Sequence, residues 1–133
     1  MTTELYWMTL TVLMTALFWL VYVLERMAVS GPVAVLTGRF EMDGKTHAAW
    51  ALRAGRAHAN AVENLVIFVP AVLTAHALSL STPATQLAAA VYFFARLAHF
   101  VVYVLGVPVA RTLAFVTGWG AQIVILASIL LWM

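Results

Sequence analysis

Long apolar runs alternate with short polar segments along the chain, and this alternation predicts four membrane-spanning helices. The first run extends from Leu5 to Leu24 without a charged side chain, and a run of about 20 apolar residues crosses the hydrocarbon core of a bilayer. The predicted helices cover residues of about 5–27, 47–80, 84–106 and 110–132. We therefore expect an all-α integral membrane protein, with residues 1–133 forming one four-transmembrane-helix bundle.

Composition agrees with this membrane interpretation and excludes several kinds of site. The chain is 65% hydrophobic and 9% charged, whereas soluble domains are about 25% charged. It contains no cysteine, which excludes disulfides, thiolate zinc sites and a cysteine nucleophile. Its four histidines are scattered without metal-ligand spacing. We expect neither a bound metal nor a nucleic-acid partner.

The connections between the predicted helices differ in length. The first connection runs from Ser30 to His47 and is predicted to be irregular. It contains the turn-forming residues Gly31, Pro32, Gly38, Asp43 and Gly44. The second connection is a short turn in which Pro83 is placed as an early helix residue, and the third is the segment "GVPVAR".

Basic residues in the connections predict the orientation of the chain in the membrane. The first connection holds most of them, namely Arg26, Arg39, Lys45, Arg53 and Arg56. Arg111 lies at the third connection, whereas the second connection and both termini have none. Because cytoplasmic loops carry the excess of lysine and arginine, we expect the first and third connections in the cytoplasm and both termini on the other side.

Polar side chains form one stripe on each of three predicted helices when positions are plotted at 100° per residue. The second helix carries Arg53, Arg56, Asn60, Glu63 and Asn64. The third carries Tyr92, Arg96, His99 and Tyr103, and the fourth carries Arg111, Phe115, Gly118 and Gln122. A charge at the bilayer centre costs about 3 kcal/mol or more. We therefore expect these stripes to face a bundle interior or a wet cavity.

The charges of the stripes do not balance. Four arginines face the single carboxylate of Glu63, and a buried positive excess needs an anion, water or carbonyl groups. One interpretation is an anionic ligand that enters from the cytoplasm, with Glu63 and Asn60 recognising its cationic or amide part. The alternative is structural, with Arg56 or Arg96 paired to Glu63. His47 and His58 are expected in a loop or on a helix surface.

Two segments resemble a known family. "RAGRAHANAVEN" at 53–64 resembles the second-helix signature of the MAPEG family, the membrane-associated proteins in eicosanoid and glutathione metabolism, and "ARLAHFVVYVLG" at 95–106 resembles its third-helix signature. Arg111 stands where family members begin the fourth helix with arginine. "YVLERMAVSGP" at 22–32 resembles the end of the first helix in bacterial members.

The resemblance implies a homotrimer in the lipid bilayer that binds glutathione as a co-substrate between neighbouring subunits. Residues that would hold glutathione are Arg53, Arg56, Asn60, Glu63, Arg96, His99, Tyr103 and, from a neighbour, Arg26. Glu63 would contact the ammonium group of glutathione. Arg96 would contact a carboxylate or form a structural ion pair, and Arg111 would activate the thiol.

The resemblance further implies a glutathione transferase or peroxidase that acts on lipophilic electrophiles or lipid hydroperoxides. Ala59 stands where the prostaglandin E synthase type has another arginine, and Phe115 replaces a tyrosine of several members. His99 replaces a tyrosine of the leukotriene C synthase type. These departures favour a generic enzyme of detoxification in a bacterial inner membrane over an eicosanoid-specific synthase.

Two other functions compete with the enzyme. One is a non-catalytic relative that binds a lipid or an anion as a membrane scaffold. The other is a small transporter or channel subunit, which would need polar residues in both halves of the bundle. The half of the bundle distant from the stripes is almost wholly apolar, which disfavours the transporter.

Overall fold

The computed structural model describes residues 1–39 and 46–132, and every element in this part of the chain is helical. The elements are α1 (Thr3–Leu17), α2 (Trp19–Ser30), α3 (Pro32–Leu36), α4 (Ala49–Ala77), α5 (Pro83–Leu105) and α6 (Pro108–Trp132). Four helical spans are long and apolar enough to cross a membrane: α1 with α2, and then α4, α5 and α6. The chain is therefore a multi-pass integral membrane protein. The bounds of these spans lie within three residues of the predicted ones.

The first span is continuous in direction but changes its hydrogen bonding at Phe18, between α1 and α2. The Phe18 N–H donates to the carbonyl of Thr15 over 3.2 Å, and the Val21 N–H donates to the carbonyl of Phe18 over 3.2 Å. Both bonds connect residues three apart, as in a 3₁₀ turn. The ring of Phe18 stacks on the ring of Phe100 in α5, with centroids 3.8 Å apart.

Local sequence explains the ends of α5. Thr82 and Thr85 form a capping box at its start, in which each side chain satisfies a backbone N–H of the other residue. Pro83 occupies the first turn, as the sequence predicted, where the missing N–H of proline costs nothing. Gly106 ends the helix with φ +78°, a left-handed conformation that favours glycine.

Small residues on α4 allow the other helices to approach it closely. Ala51, Ala54, Ala57 and Ala61 are buried on one side of α4 in a cluster with Phe18. Small side chains let helices in a membrane approach at short distance and gain van der Waals contact. A second cluster lies further along the bundle and is built on Phe68, Val72, Tyr92 and Ile125, with the rings of Phe68 and Tyr92 stacked at 3.7 Å.

Glu4 ties the N-terminus to the turn between α4 and α5. Its side chain is 3% exposed and accepts hydrogen bonds from the hydroxyls of Ser81 at 3.0 Å and Thr85 at 2.6 Å. A buried carboxylate needs such donors. The sequence interpretation assigned no partner to Glu4, because Ser81 and Thr85 are about 80 positions away along the chain.

Glu25, near the end of α2, binds the residues that precede α4. Its carboxylate accepts from the Ala48 N–H at 2.8 Å and pairs with His47 Nδ1 at 3.0 Å. His47 lies in the loop before α4, as expected, and is buried there at 4% exposed. His58 lies on α4, where it is half-buried and hydrogen-bonded through Nδ1 to the Tyr22 hydroxyl at 2.7 Å.

The first connection, which the sequence predicts to be irregular, contains one short helix, α3. The helix α3 follows Gly31, whose φ of +83° separates it from α2, and begins at Pro32. Proline is well suited to the first position of a helix. Asp43, Gly44 and Lys45, which the sequence analysis placed in this connection, lie outside the described residues.

Candidate functional site

Most of the predicted site residues lie at one end of the bundle. This end of the bundle contains the second half of α2, the first turns of α4, the last turn of α5 and the first turn of α6. Two recesses open here, and arginine side chains line both of them. The antiparallel course of consecutive spans brings these segments together although they are distant in sequence.

The first recess, which we call the Arg53–Arg111 recess, has a volume of about 210 Å³. Its lining consists of Arg53, Tyr103, Gly106, Val107, Pro108 and Arg111. The guanidinium of Arg111 lies over the ring of Tyr103, with Cζ 4.8 Å from the centroid. This cation–π contact holds a positive charge at the wall of the recess.

Arg53 also has a structural contact. Its Nε donates to the carbonyl of Val104 over 2.9 Å, and the last carbonyl groups of a helix have no partner within the helix. A Cβ at Gly106 would lie 3.3 Å from Cζ of Arg53. The glycine that ends α5 therefore also leaves room for Arg53, so that α4 and α5 are joined beside Arg111.

The second recess, the Arg26–Arg56 recess, has a volume of about 260 Å³. Arg26, Leu52, Gly55, Arg56 and Ala59 line it. Cζ of Arg26 lies 4.3 Å from the centroid of the Tyr22 ring, and Arg56 is exposed. Arg26 and Arg56 thus bring two positive charges to one recess of the same chain.

Arg96 lies inside the bundle and lines neither recess. It is 2% exposed, and its Nη1 lies 3.5 Å from Oδ1 of Asn60. Its Nε and Nη2 have no hydrogen-bond partner within the described part of the chain. Cζ lies 5.5 Å from the ring centroid of Phe115, and the guanidinium packs beside Gly118. Arg96 therefore connects α5 with α4 and α6.

A network of amide groups continues from Asn60 into the core. The Asn64 side chain donates to the carbonyl of Asn60 over 2.8 Å. Gln122 of α6 donates to the carbonyl of Asn64 over 2.9 Å and to the Tyr92 hydroxyl over 3.4 Å. The polar stripe of α6 thus meets the stripes of α4 and α5 in the bundle interior, as the sequence predicted for these residues.

His99 lies beside the first recess but is 4% exposed. Its ring centroid is 5.5 Å from that of Tyr103 and 6.0 Å from that of Phe115. Among the described residues no side chain or carbonyl accepts a hydrogen bond from His99. The ring of His99 packs against the ring of Tyr103, which in turn supports the guanidinium of Arg111.

Glu63 is the exception among the stripe residues of α4. It is exposed on the surface of the single chain, about 21 Å along the helix from Ala49 at 1.5 Å per residue. No arginine of residues 1–39 and 46–132 forms an ion pair with it. The alternative in which Arg56 or Arg96 pairs with Glu63 is therefore wrong for the single chain.

The stripe of α4 is divided, because its arc of about 100° straddles the edge of the buried face. Asn60 and Asn64 are half-buried and turned towards α5 and α6, whereas Arg56 and Glu63 are exposed. The expectation of a bundle interior or a wet cavity is met by Arg56, which lines the Arg26–Arg56 recess, but within the single chain it is not met by Glu63. A carboxylate on a membrane-spanning helix needs cover from protein or polar ligand, and residues 1–39 and 46–132 of one chain do not provide it.

Comparison with known proteins gives a family match over almost the entire chain. The family model described as the MAPEG family matches residues 4–131. No curated protein matches the chain, and no solved structure matches it.

Proposed function

The chain belongs to the MAPEG family, and on that premise we propose that it is a membrane-embedded glutathione transferase with peroxidase activity. Membership indicates a role in glutathione-related or lipid metabolism, and some members of the family are not enzymes. The proposal therefore depends on the arrangement of the arginines and of Glu63.

The exposed carboxylate of Glu63 is the observation that carries the proposal. A charged group at this depth of a spanning helix is stable when another polar surface covers it. We infer that a homotrimer supplies this surface, with the Arg53–Arg111 recess of one copy facing the Arg26–Arg56 recess of the next. Glutathione would bind between them, in contact with both recesses.

The charges of the two recesses suit glutathione, which has two carboxylates, one ammonium group and one thiol. Arg26, Arg53 and Arg56 would bind the carboxylates, since guanidinium groups match carboxylate geometry. Glu63 would bind the ammonium group and Asn60 a peptide group. Tyr103 and His99 would complete the wall of the site. Arg96 would act through Asn60, whose side chain it contacts.

Arg111 would activate the thiol. A free thiol has a pKa of about 8.5, and a guanidinium nearby lowers that pKa because it favours the thiolate. The thiolate sulfur would attack an electrophilic carbon, forming a carbon–sulfur bond while the leaving group departs with its electron pair. With a lipid hydroperoxide, two glutathione molecules would be oxidised to the disulfide, and the hydroperoxide would be reduced to an alcohol and water.

The distribution of basic residues supports an orientation in which both recesses open to the cytoplasm. Arg26, Arg53, Arg56 and Arg111 all lie at the end of the bundle that contains the first and third connections. Cytoplasmic connections carry such an excess. We propose a bacterial inner membrane as the location, with both termini on the opposite side.

A non-catalytic scaffold that binds a lipid or an anion is the second candidate. Phe115 favours it, because its ring lies 6.0 Å from that of His99 and brings no hydroxyl group towards the neighbourhood of Arg111. A scaffold would bind an anion in the same recesses without lowering the pKa of a thiol.

The test combines three measurements on detergent-purified protein: subunit number by sedimentation, glutathione affinity by calorimetry, and thiolate by ultraviolet absorbance at neutral pH. The enzyme predicts a trimer, saturable binding and a thiolate signal that S-methylglutathione does not give. Binding without thiolate would favour the scaffold. Absence of binding at millimolar glutathione, with the trimer intact, would overturn the enzyme and leave a scaffold for a lipid or another anion. For substitutions of the recess arginines, Arg39→Ala is the matched control. Arg39 is an exposed arginine of the first connection and lines neither recess.

A further inference from the structure

A wide groove crosses the outer surface of the bundle between the first span and α5. It has a volume of about 520 Å³, and its lining consists entirely of leucine, methionine, phenylalanine and valine side chains. Leu13, Leu17, Phe18, Leu97 and Phe100 are among them. We call it the α1–α5 groove. It has no residue of α4 in its lining and no arginine, so it is separate from both recesses.

The change of hydrogen bonding at Phe18 lies at this groove. The bonds between residues three apart on either side of Phe18 tighten the first span at one point, and the ring of Phe18 lies against Phe100 with the two planes 7° apart. Both rings are 6% exposed. This stacked pair forms the floor of the groove, while the leucines on either side form its walls.

The position of the groove places it within the hydrocarbon region. Along the first span the lining runs from Leu10 to Val21, which is about 17 Å at 1.5 Å per residue. This is about half of the 30 Å thickness of a bilayer core. These residues lie in the middle part of the span Thr3–Ser30. The open side of the groove therefore faces the hydrocarbon region of the bilayer.

We propose that the α1–α5 groove binds the acyl chain of a membrane phospholipid. The lining has no polar group to orient a headgroup or a peptide, and its length along the helix suits an extended hydrocarbon chain within one leaflet. The groove continues the apolar outer surface of the spans, where Leu20 and Leu24 of the first span are exposed outside its lining. A second copy of the chain that covers Glu63 would contact α4. No residue of α4 lines the groove, so this contact would not fill it.

The absence of cysteine from the sequence permits a direct test by site-specific labelling. Leu97, in the groove and 38% exposed, is changed to cysteine and labelled with bimane; Leu113 of α6, which is 64% exposed and outside the groove, is the matched position. Phosphatidylcholine with a dibrominated acyl chain is titrated into the protein in detergent. We expect quenching at Leu97→Cys to saturate near one lipid per chain, and quenching at Leu113→Cys to rise without saturation.

Quenching curves of the same shape at Leu97→Cys and Leu113→Cys would overturn the proposal. So would saturation at Leu97→Cys with a brominated free fatty acid but not with the phospholipid, because the occupant would then be a different class of molecule. Glutathione binding is measured on the same samples. Its loss would bear on the proposed function alone, since the groove contains no residue of either recess.

A second pair of variants tests the groove by filling it. Leu13→Trp narrows the groove, and Leu113→Trp adds the same ring outside it. Native mass spectrometry should show at least a fivefold loss of retained phospholipid for Leu13→Trp and no loss for Leu113→Trp, with the subunit number unchanged in both. If Leu13→Trp separates the subunits and retains its lipid, the groove is a contact between copies and the proposal is wrong.

Discussion

The guanidinium of Arg111 rests on the ring of Tyr103, with 4.8 Å between Cζ and the ring centroid. The two residues come from α6 and α5, on either side of the short third connection. This contact fixes the position of the charge that the proposed mechanism needs. Substitutions of Arg111 and of Tyr103 can therefore test the charge and the ring separately.

Arg111→Ala should abolish thiol activation. Without the guanidinium, the thiol pKa returns towards its ordinary value, and a pKa change of 1–3 units lowers the thiolate fraction at neutral pH by about tenfold or more. Ultraviolet absorbance of the glutathione complex measures the thiolate, and the conjugation rate at saturating glutathione should fall with it.

Tyr103→Phe is the control for this prediction, because it keeps the ring under Arg111 and should retain the thiolate signal. Arg39→Ala should also retain it, since Arg39 lines neither recess. A full conjugation rate in Arg111→Ala would show that the thiol is activated by another group.

Glu63→Gln should weaken glutathione binding without changing the thiolate fraction of the bound form. It removes the proposed partner of the ammonium group, and a hydrogen bond to a charged group contributes about 1.5–3 kcal/mol. This corresponds to roughly a tenfold or larger increase in Kd. Isothermal titration calorimetry measures the affinity.

Glu4→Gln is the matched carboxylate control, because Glu4 is bonded to Ser81 and Thr85 at the opposite end of the bundle. It should change thermal stability and leave the affinity for glutathione as it is. Equal affinities for wild type and Glu63→Gln would remove Glu63 from the site.

Gln122→Leu should destabilise the bundle by about 1–3 kcal/mol, because two hydrogen bonds that contribute about 0.5–1.5 kcal/mol each are lost. The carbonyl of Asn64 and the hydroxyl of Tyr92 would both lose the donor that Gln122 provides. Thermal unfolding in detergent measures the effect. Thr117→Val, an exposed change in the same helix, should leave the midpoint nearly unchanged, and equal midpoints for both variants would contradict the network.

Gly118 should tolerate alanine and reject leucine. A Cβ there would lie 3.6 Å from Cβ of Ala95 and 3.6 Å from Nε of Arg96, which are ordinary contact distances. A leucine side chain would extend further and displace Arg96 or separate α5 from α6, at a cost of about 1–3 kcal/mol for overpacking. The same unfolding measurement compares Gly118→Ala with Gly118→Leu, and comparable stability of the two would show that α6 is not held closely at this point.

The spans could be predicted from the sequence because their length and apolar composition are set by the thickness of the bilayer. The stripes could be predicted in the same way, and Asn60, Arg96 and Gln122 do meet in the interior. Helical periodicity gives the direction of a side chain relative to its own helix. It does not tell where the edge of the buried face falls, and Arg56 and Glu63 lie beyond that edge.

Long-range contacts of single polar residues could not be predicted from the sequence. The pairing of Glu25 with His47 and the burial of Glu4 depend on which helix ends meet. The double role of Arg53 is of the same kind, since its bond to Val104 is a contact between positions 51 residues apart. Only the assembled helices bring these groups together.

The contacts of Glu4 also order events during synthesis of the protein. The Ser81 and Thr85 hydroxyls that bond its carboxylate are made long after the first span has left the ribosome. The carboxylate of Glu4 therefore remains without these donors until the hairpin of the second and third spans has been inserted. A nascent chain that stops before residue 81 has its first helix without this tether, and the tether forms only after Ser81 and Thr85 have left the ribosome.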